Sequence, residues 1–227
     1  MAKAKFKIKV DGYSFDSNEF LSALSDKLIK RLNLYNTNVT TRIKNVARRA
    51  LENSDFYKQF TPLSSLVGEL GIPFGEEHSR MLRVVEVLVN NILYHFTPVT
   101  SGGKFLWSME IWTVVDSQVF ALLAQLNEAI VKTNKGEELN WVDWTLTKGS
   151  RIVIGKYHVS PMVGLGRSTV AIMRKGGFWK VPSAYAGTLG DNWITRAFEA
   201  DIDEFADVIQ DVFIRELNKI SHINVSI

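Results

Sequence analysis

The sequence predicts an α+β fold: a helical N-terminal half, a small mixed or antiparallel sheet, and a long C-terminal helix packed on it. Three observations carry this. Apolar residues recur at helical spacing through most of the first hundred residues. Short segments of alternating polarity follow, interleaved with helices and not ordered as a regular strand–helix–strand repeat. A last apolar stripe, Ile194, Phe198, Ile202, Phe205, Ile209, Phe213, Leu217 and Ile220, closes the chain at helical spacing.

Phe6, Ile8 and Val10 alternate with Lys5, Lys7 and Lys9, and Asp11-Gly12 ends this short strand. Asp16 and Glu19 form a capping box for a helix bearing Phe20, Leu21, Leu24, Leu28 and Leu32. A second helix carries Val39, Ile43, Val46, Ala47 and Ala50. Thr61-Pro62 reads as an N-cap with proline at the first helical position, before Leu63, Leu66, Val67 and Leu70 and a stop at Gly71. The spacing of Met81, Val84, Val85, Leu88, Ile92, Leu93 and Phe96 predicts a helix over 77–96, and Thr97 to Gly103 reads as a loop.

Phe105, Trp107, Met109 and Ile111 predict a strand. Asp116 caps a helix whose apolar residues run from Val119 to Ile130 and which ends at Asn134-Lys135-Gly136. Trp141 to Trp144 is ambiguous. Arg151–Val159 and Thr169–Met173 read as strands, with Gly176-Gly177 as a tight bend before Phe178-Trp179-Lys180-Val181. Pro182 confines that last segment to an edge.

Composition bounds the function. The chain has 227 residues, 46% hydrophobic and 22% charged, as in ordinary globular proteins. No linker composition interrupts it, so a single domain over 1–227 is expected. There is no cysteine, which excludes disulfides, thiolate zinc sites and a cysteine nucleophile. No apolar h-region follows the basic start and no apolar run is long enough to span a membrane, so cytoplasmic synthesis and no membrane partner are expected.

The net charge is +3, from 27 basic and 24 acidic residues. Basic residues gather over 27–49, including Lys44, Arg48 and Arg49, and acidic ones over 199–211. These are solvated helix faces, faces that meet between copies of the protein, or, for the basic helices, a face turned to DNA.

A search for chemistry finds little. His78, His95, His158 and His222 include no pair at the spacing that places two imidazoles on one helix face. Gly164 to Thr169 superficially resembles a phosphate loop, but lacks the lysine that reaches the phosphates. Gly166-Arg167-Ser168 begins like a nucleophile elbow, but Val170 stands where its second glycine is needed. Glu76-Glu77 and Glu137-Glu138 are adjacent pairs, which point in different directions on a helix. No catalytic residue, metal or cofactor is expected.

The segment 172–196 is more informative. Phe178, Trp179, Tyr185 and Trp193 sit among glycines, Pro182 and basic residues. Such rings either cover the core or anchor a partner, since Trp, Tyr and Arg dominate binding hot spots; base stacking is a third use. The candidate interface residues are Arg167, Phe178, Trp179, Lys180, Tyr185, Asn192 and Arg196. Lys44, Arg48 and Arg49 are the candidate DNA-facing residues.

Four motifs taken in order resemble the tail-completion, or neck, proteins of tailed bacteriophages. They are Thr97-Pro98-Val99-Thr100-Ser101-Gly102 with Ser108; Gly166-Arg167-Ser168 leading into Ala171-Ile172-Met173; Trp179-Lys180-Val181-Pro182 with Ala186-Gly187-Thr188; and Asn192 to Phe198. They cover about residues 90–220. Gly103 doubles the loop glycine, and the stretch 116–150 is longer than in compact members. The resemblance implies a non-enzymatic virion component, made in the host cytoplasm. It implies a ring, on the order of six or twelve copies, between portal and tail. Its partners would be itself, other head–tail connector and tail proteins, and genomic DNA in transit. A tail terminator capping the tail tube is the sibling alternative, and a DNA-binding module using the basic helices 27–49 is the alternative of another class.

Overall fold

A computed structural model of the chain describes residues 5–10, 26, 28, 30, 37–101, 104–112, 117–132, 136–166, 168–188 and 190–221. Its elements are β1 (Lys5–Val10), α1 (Thr37–Asn53), α2 (Asp55–Lys58), α3 (Ser65–Leu70), α4 (Glu77–Asn90), β2 (Leu93–Ser101), β3 (Lys104–Trp112), α5 (Ser117–Gln125), β4 (Ile130–Lys132), β5 (Glu138–Asn140), α6 (Trp141–Thr147), β6 (Ile154–Pro161), β7 (Ala171–Trp179), α7 (Trp193–Ala200) and α8 (Ile202–Ser221). Every strand pairing among them is antiparallel. The fold is α+β, with small antiparallel sheets and a long C-terminal helix.

The chain divides into two compact units interleaved along the sequence. One comprises 5–47, 92–112 and 200–227. Its sheet has the order β1-β3-β2, and α8 packs against β1. β2 is an edge strand, which is why Pro98, with no N–H to donate, is tolerated opposite Trp107. Phe205, Ile209, Val212 and Phe213 form one buried stripe on α8, and Val39, Ile43, Val46 and Ala47 form another on α1. Arg42 Nη1 pairs with Asp211 Oδ2 at 2.5 Å, linking the two helices. Leu28 is buried and helical with Asp26 and Lys30; the remaining positions expected in a helix over 16–32 lie outside the described residues.

The other unit comprises 1–4, 48–91 and 113–199 and has an aromatic core. Phe56 stacks on Trp193 at 4.7 Å and tilts against Phe60 at 5.2 Å; Phe60 meets Trp141 at 5.0 Å. Trp144 meets Trp179 at 5.3 Å. These offset and tilted geometries avoid face-on repulsion of the ring quadrupoles.

Several boundaries differ from the sequence reading, each for a local reason. The helix expected to reach Phe96 stops at Asn90. Asn91 closes it, donating from both its backbone N–H and its Nδ2 to Val87 O, and residues 93–101, expected partly as loop, continue as β2. The helix expected to reach Ile130 stops at Gln125, because Arg80 draws the next turn onto itself. Its Nη1 donates to the carbonyls of Asn127, Glu128 and Ile130 at 3.1, 2.9 and 2.8 Å. The helix expected at Thr61-Pro62 begins at Ser65, since Leu63 has φ 68°, which breaks a helical ladder. Trp141–Trp144 resolves as the start of α6, capped by Asn140 Oδ1 accepting from Asp143 N at 2.9 Å. The closing helix is two. Asp201 interrupts it, and its carbonyl accepts from Glu204 N and Phe205 N to begin a new ladder. Gly176-Gly177 is no bend between strands but an irregularity inside β7.

Candidate partner interface

In the 48–91/113–199 unit, the β6–β7 hairpin is largely exposed. Among the described residues the two strands pair only with each other, which leaves both outer edges open. From Arg174 to Phe178 every residue of β7 is exposed. The register places Tyr157 opposite Lys175, His158 opposite Arg174 and Val159 opposite Met173. Paired residues share a face, so Tyr157, Lys175, Val159 and Met173 lie on one side of the ribbon and His158 and Arg174 on the other.

A kink interrupts the ladder between Gly155 and Tyr157. Lys156 there has φ 67°, and Gly176 and Gly177 on the opposite strand have φ 99° and 74°. The positive φ of Gly177 favours glycine, and a Cβ there would also sit close to His158 Cβ, at 3.3 Å. His158 Nδ1 lies 2.9 Å from Gly176 O, so that nitrogen carries a proton and donates to the carbonyl.

The tip turns through Met162 to Val170, with Met162 N donating to Val170 O and Gly164 N to Thr169 O. Val163 is 84% exposed and Leu165 49% exposed, an apolar point. Gly164 to Thr169, which resembles a phosphate loop in sequence, is thus a hairpin tip. Gly166 is required there because a Cβ would fall 2.2 Å from Ala171 O. Beneath the hairpin lies an open cleft of about 690 Å³, lined by Glu69, Leu139, Trp144, Tyr157, Val159 and Met173 among others. The hairpin is seated on α3 through Gly68, where an added Cβ would meet Val170 Cγ2 at 2.6 Å.

The expected interface residues have different fates. Phe178 is 55% exposed, and Lys180 is exposed beside it. Trp179 is 5% exposed: its ring belongs to the core, and its Nε1 donates to Glu69 Oε2 at 3.1 Å. Alternation explains the split, since neighbouring strand residues point to opposite faces. Tyr185 is half-buried, edge-on to Phe56 at 5.8 Å. Asn192 is fully buried and caps α7, its Oδ1 accepting from Ile194 N and Thr195 N while its Nδ2 donates to Thr188 O. Arg196 latches the preceding loop, pairing with Asp191 and donating to the carbonyls of Ala184 and Ala186. Arg167 lies outside the described residues.

The expected DNA-facing residues lie on α1. Arg48 pairs with Glu52 at 3.6 Å, and Lys44 and Arg49 also have interactions. Near this helix end, burial pushes the Tyr57 phenol above its usual pKa; Glu52 pushes the same way and Arg48 opposes. The strands expected over Arg151–Val159 and Thr169–Met173 are present as β6 and β7; the sequence reading missed the cations they carry, although no Asp or Glu occurs between Asp143 and Asp191.

Among the described residues, no group of three or more His, Asp or Glu side chains is placed to hold a metal ion, and no helix is long and apolar enough to cross a membrane. No protein-family model matches the chain, and comparisons with curated proteins and with solved structures find no match.

Proposed function

We propose that this chain is a non-enzymatic structural protein of the neck of a tailed bacteriophage, a tail-completion or head–tail connector component of the virion. It assembles with copies of itself into a ring through which DNA passes, and contacts other connector and tail proteins. The observation that carries this reading is the β6–β7 hairpin. Among the described residues its outer strand edges are unpaired, and its tip exposes Val163 and Leu165, features that suit a protein contact. A neighbouring subunit would cover both. A cyclic ring needs one patch to meet a different patch, and a projecting hairpin suits that geometry.

The motif order supports the same reading. Gly166 and Ser168 lie in the hairpin tip, Trp179 to Pro182 follow its base, and Asn192 opens α7. In the sheet of the other unit, Thr97 is the pairing partner of Ser108, so the two parts of the first motif are neighbours. A tail terminator would use the same parts and differ only in its position in the particle. Quantitative mass spectrometry of purified particles tests the proposal: the chain is expected at a small fixed copy number per particle, and its absence from them overturns it.

A further inference from the structure

The positive charge of this protein is concentrated where the sequence has no acid. Between Asp143 and Asp191 stand Lys148, Arg151, Lys156, Arg167, Arg174, Lys175 and Lys180, and no carboxylate. This one segment carries +7, more than the +3 of the whole chain, so the rest is net acidic. Lys148 is neutralised by Asp143 at 3.1 Å. Arg151, Lys156, Arg174, Lys175 and Lys180 make no ion pair among the described residues, and all five are exposed. Arg174 only donates to the thioether of Met162, at 2.9 Å.

Their arrangement is a ribbon. Lys156 sits at the kink, Arg174 and Lys175 lie on opposite faces of β7, and Arg151 and Lys180 flank the base. A two-stranded antiparallel ribbon is an element the major groove of duplex DNA admits, with a phosphate backbone along each of its sides. The same segment contains no Asn or Gln, the side chains that read adenine bidentately. Its exposed cations suit backbone phosphates; arginine also pairs with guanine, so unequal binding to two unrelated duplexes would reveal base reading by Arg151 or Arg174.

We propose that the β6–β7 hairpin is a sequence-independent binding arm for the phosphate backbone of duplex DNA, using Lys156, Arg174 and Lys175 with Arg151 and Lys180 at its base. This concerns the isolated chain and stands whether or not the chain forms a neck ring. An acidic face of a second copy is the competing occupant. Salt-dependent binding to duplex DNA and sedimentation velocity separate the two.

The test is fluorescence anisotropy of the full chain with two unrelated labelled duplexes, from about 50 mM to about 200 mM salt. Binding is expected to be equal for the two sequences. If all five cations meet phosphates, the slope of log K against log salt is about −4.5. The double variant Arg174→Gln, Lys175→Gln should weaken binding to both duplexes alike and make the slope shallower by about 2. A second pair away from the strands, Arg151→Gln with Lys180→Gln, should do the same and guards against a misfolded first variant. Lys44→Gln with Arg48→Gln on α1 should leave the slope unchanged. No binding at about 50 mM salt, or an unchanged slope in both hairpin variants, overturns the proposal. So does self-association, seen by sedimentation velocity, that the hairpin variants abolish while the wild type ignores DNA.

Discussion

Trp179 donates its indole N–H to Glu69 Oε2 across 3.1 Å, which ties the last residue of β7 to α3. The contact anchors the base of an otherwise exposed hairpin. It also converts a residue that looked like a partner anchor into a structural one.

Trp179→Ala should therefore destabilise the isolated chain by about 3–5 kcal/mol, the usual cost of emptying a tryptophan site in a core. Trp179→Phe keeps most of the packing and loses the hydrogen bond to a carboxylate, for about 1.5–3 kcal/mol. Denaturant unfolding of both variants checks this. Wild-type stability in Trp179→Ala would return the ring to the surface.

Gly187 makes a sharper packing prediction. A Cβ there would lie 2.4 Å from Thr145 O and 2.6 Å from Asn192 Cβ, between α6 and the cap of α7. Gly187→Ala should cost about 1–3 kcal/mol through forced backbone shifts. Gly155→Ala, where nothing lies within 4 Å of the new methyl, should stay within about 0.5 kcal/mol of wild type. Thermal melts of the pair give the comparison.

On α8, Phe205 is buried in the stripe with Ile209, Val212 and Phe213. Phe205→Asp places an unpaired carboxylate there and should cost more than about 4 kcal/mol. Loss of the cooperative unfolding transition at ordinary temperature is the expected sign, and a well-folded variant would contradict the face assignment.

The Arg42–Asp211 pair predicts a pH dependence. Burial pushes the Asp211 carboxyl up, but hydrogen bonds from Arg42 and Arg215 outweigh it and hold the group below the usual carboxylate range. Its contribution is therefore complete above the unfolded value of about 3.9, and is lost as pH falls through the lower native value. The side chains remain 30% and 39% exposed, so the pair is worth about 0.5–1 kcal/mol. Asp211→Asn should be less stable than wild type by that amount at neutral pH, with the gap closing in acid. Denaturant midpoints at several pH values measure it.

The fold was legible where apolar period and burial agree. The stripe Phe205, Ile209, Phe213 on α8 and the stripe Val39, Ile43, Val46 on α1 are buried as their spacing implies. Legibility failed where a tertiary partner ended an element. The Arg80 guanidinium terminates the α5 segment from 45 or more residues away in sequence, and no local pattern around Asn127 announces it. Phe198 and Phe205 read as one helical stripe, yet they lie on separate helices, α7 and α8, on either side of Asp201. The candidate site was half legible. The aromatic loop was visible, but whether Phe178 or Trp179 faces outward depends on strand phase, which the glycine pair at 176–177 shifts. The cations of the hairpin were hidden by the nearly balanced total charge.

The most direct measurement of the central proposal is a side-chain-resolution cryo-electron microscopy map of the head–tail junction of the tailed particles that contain this chain. The account predicts a closed ring of this chain in the neck, with Val163 and Leu165 of each β6–β7 hairpin covered by a neighbouring protein. A junction complete without this chain would contradict it.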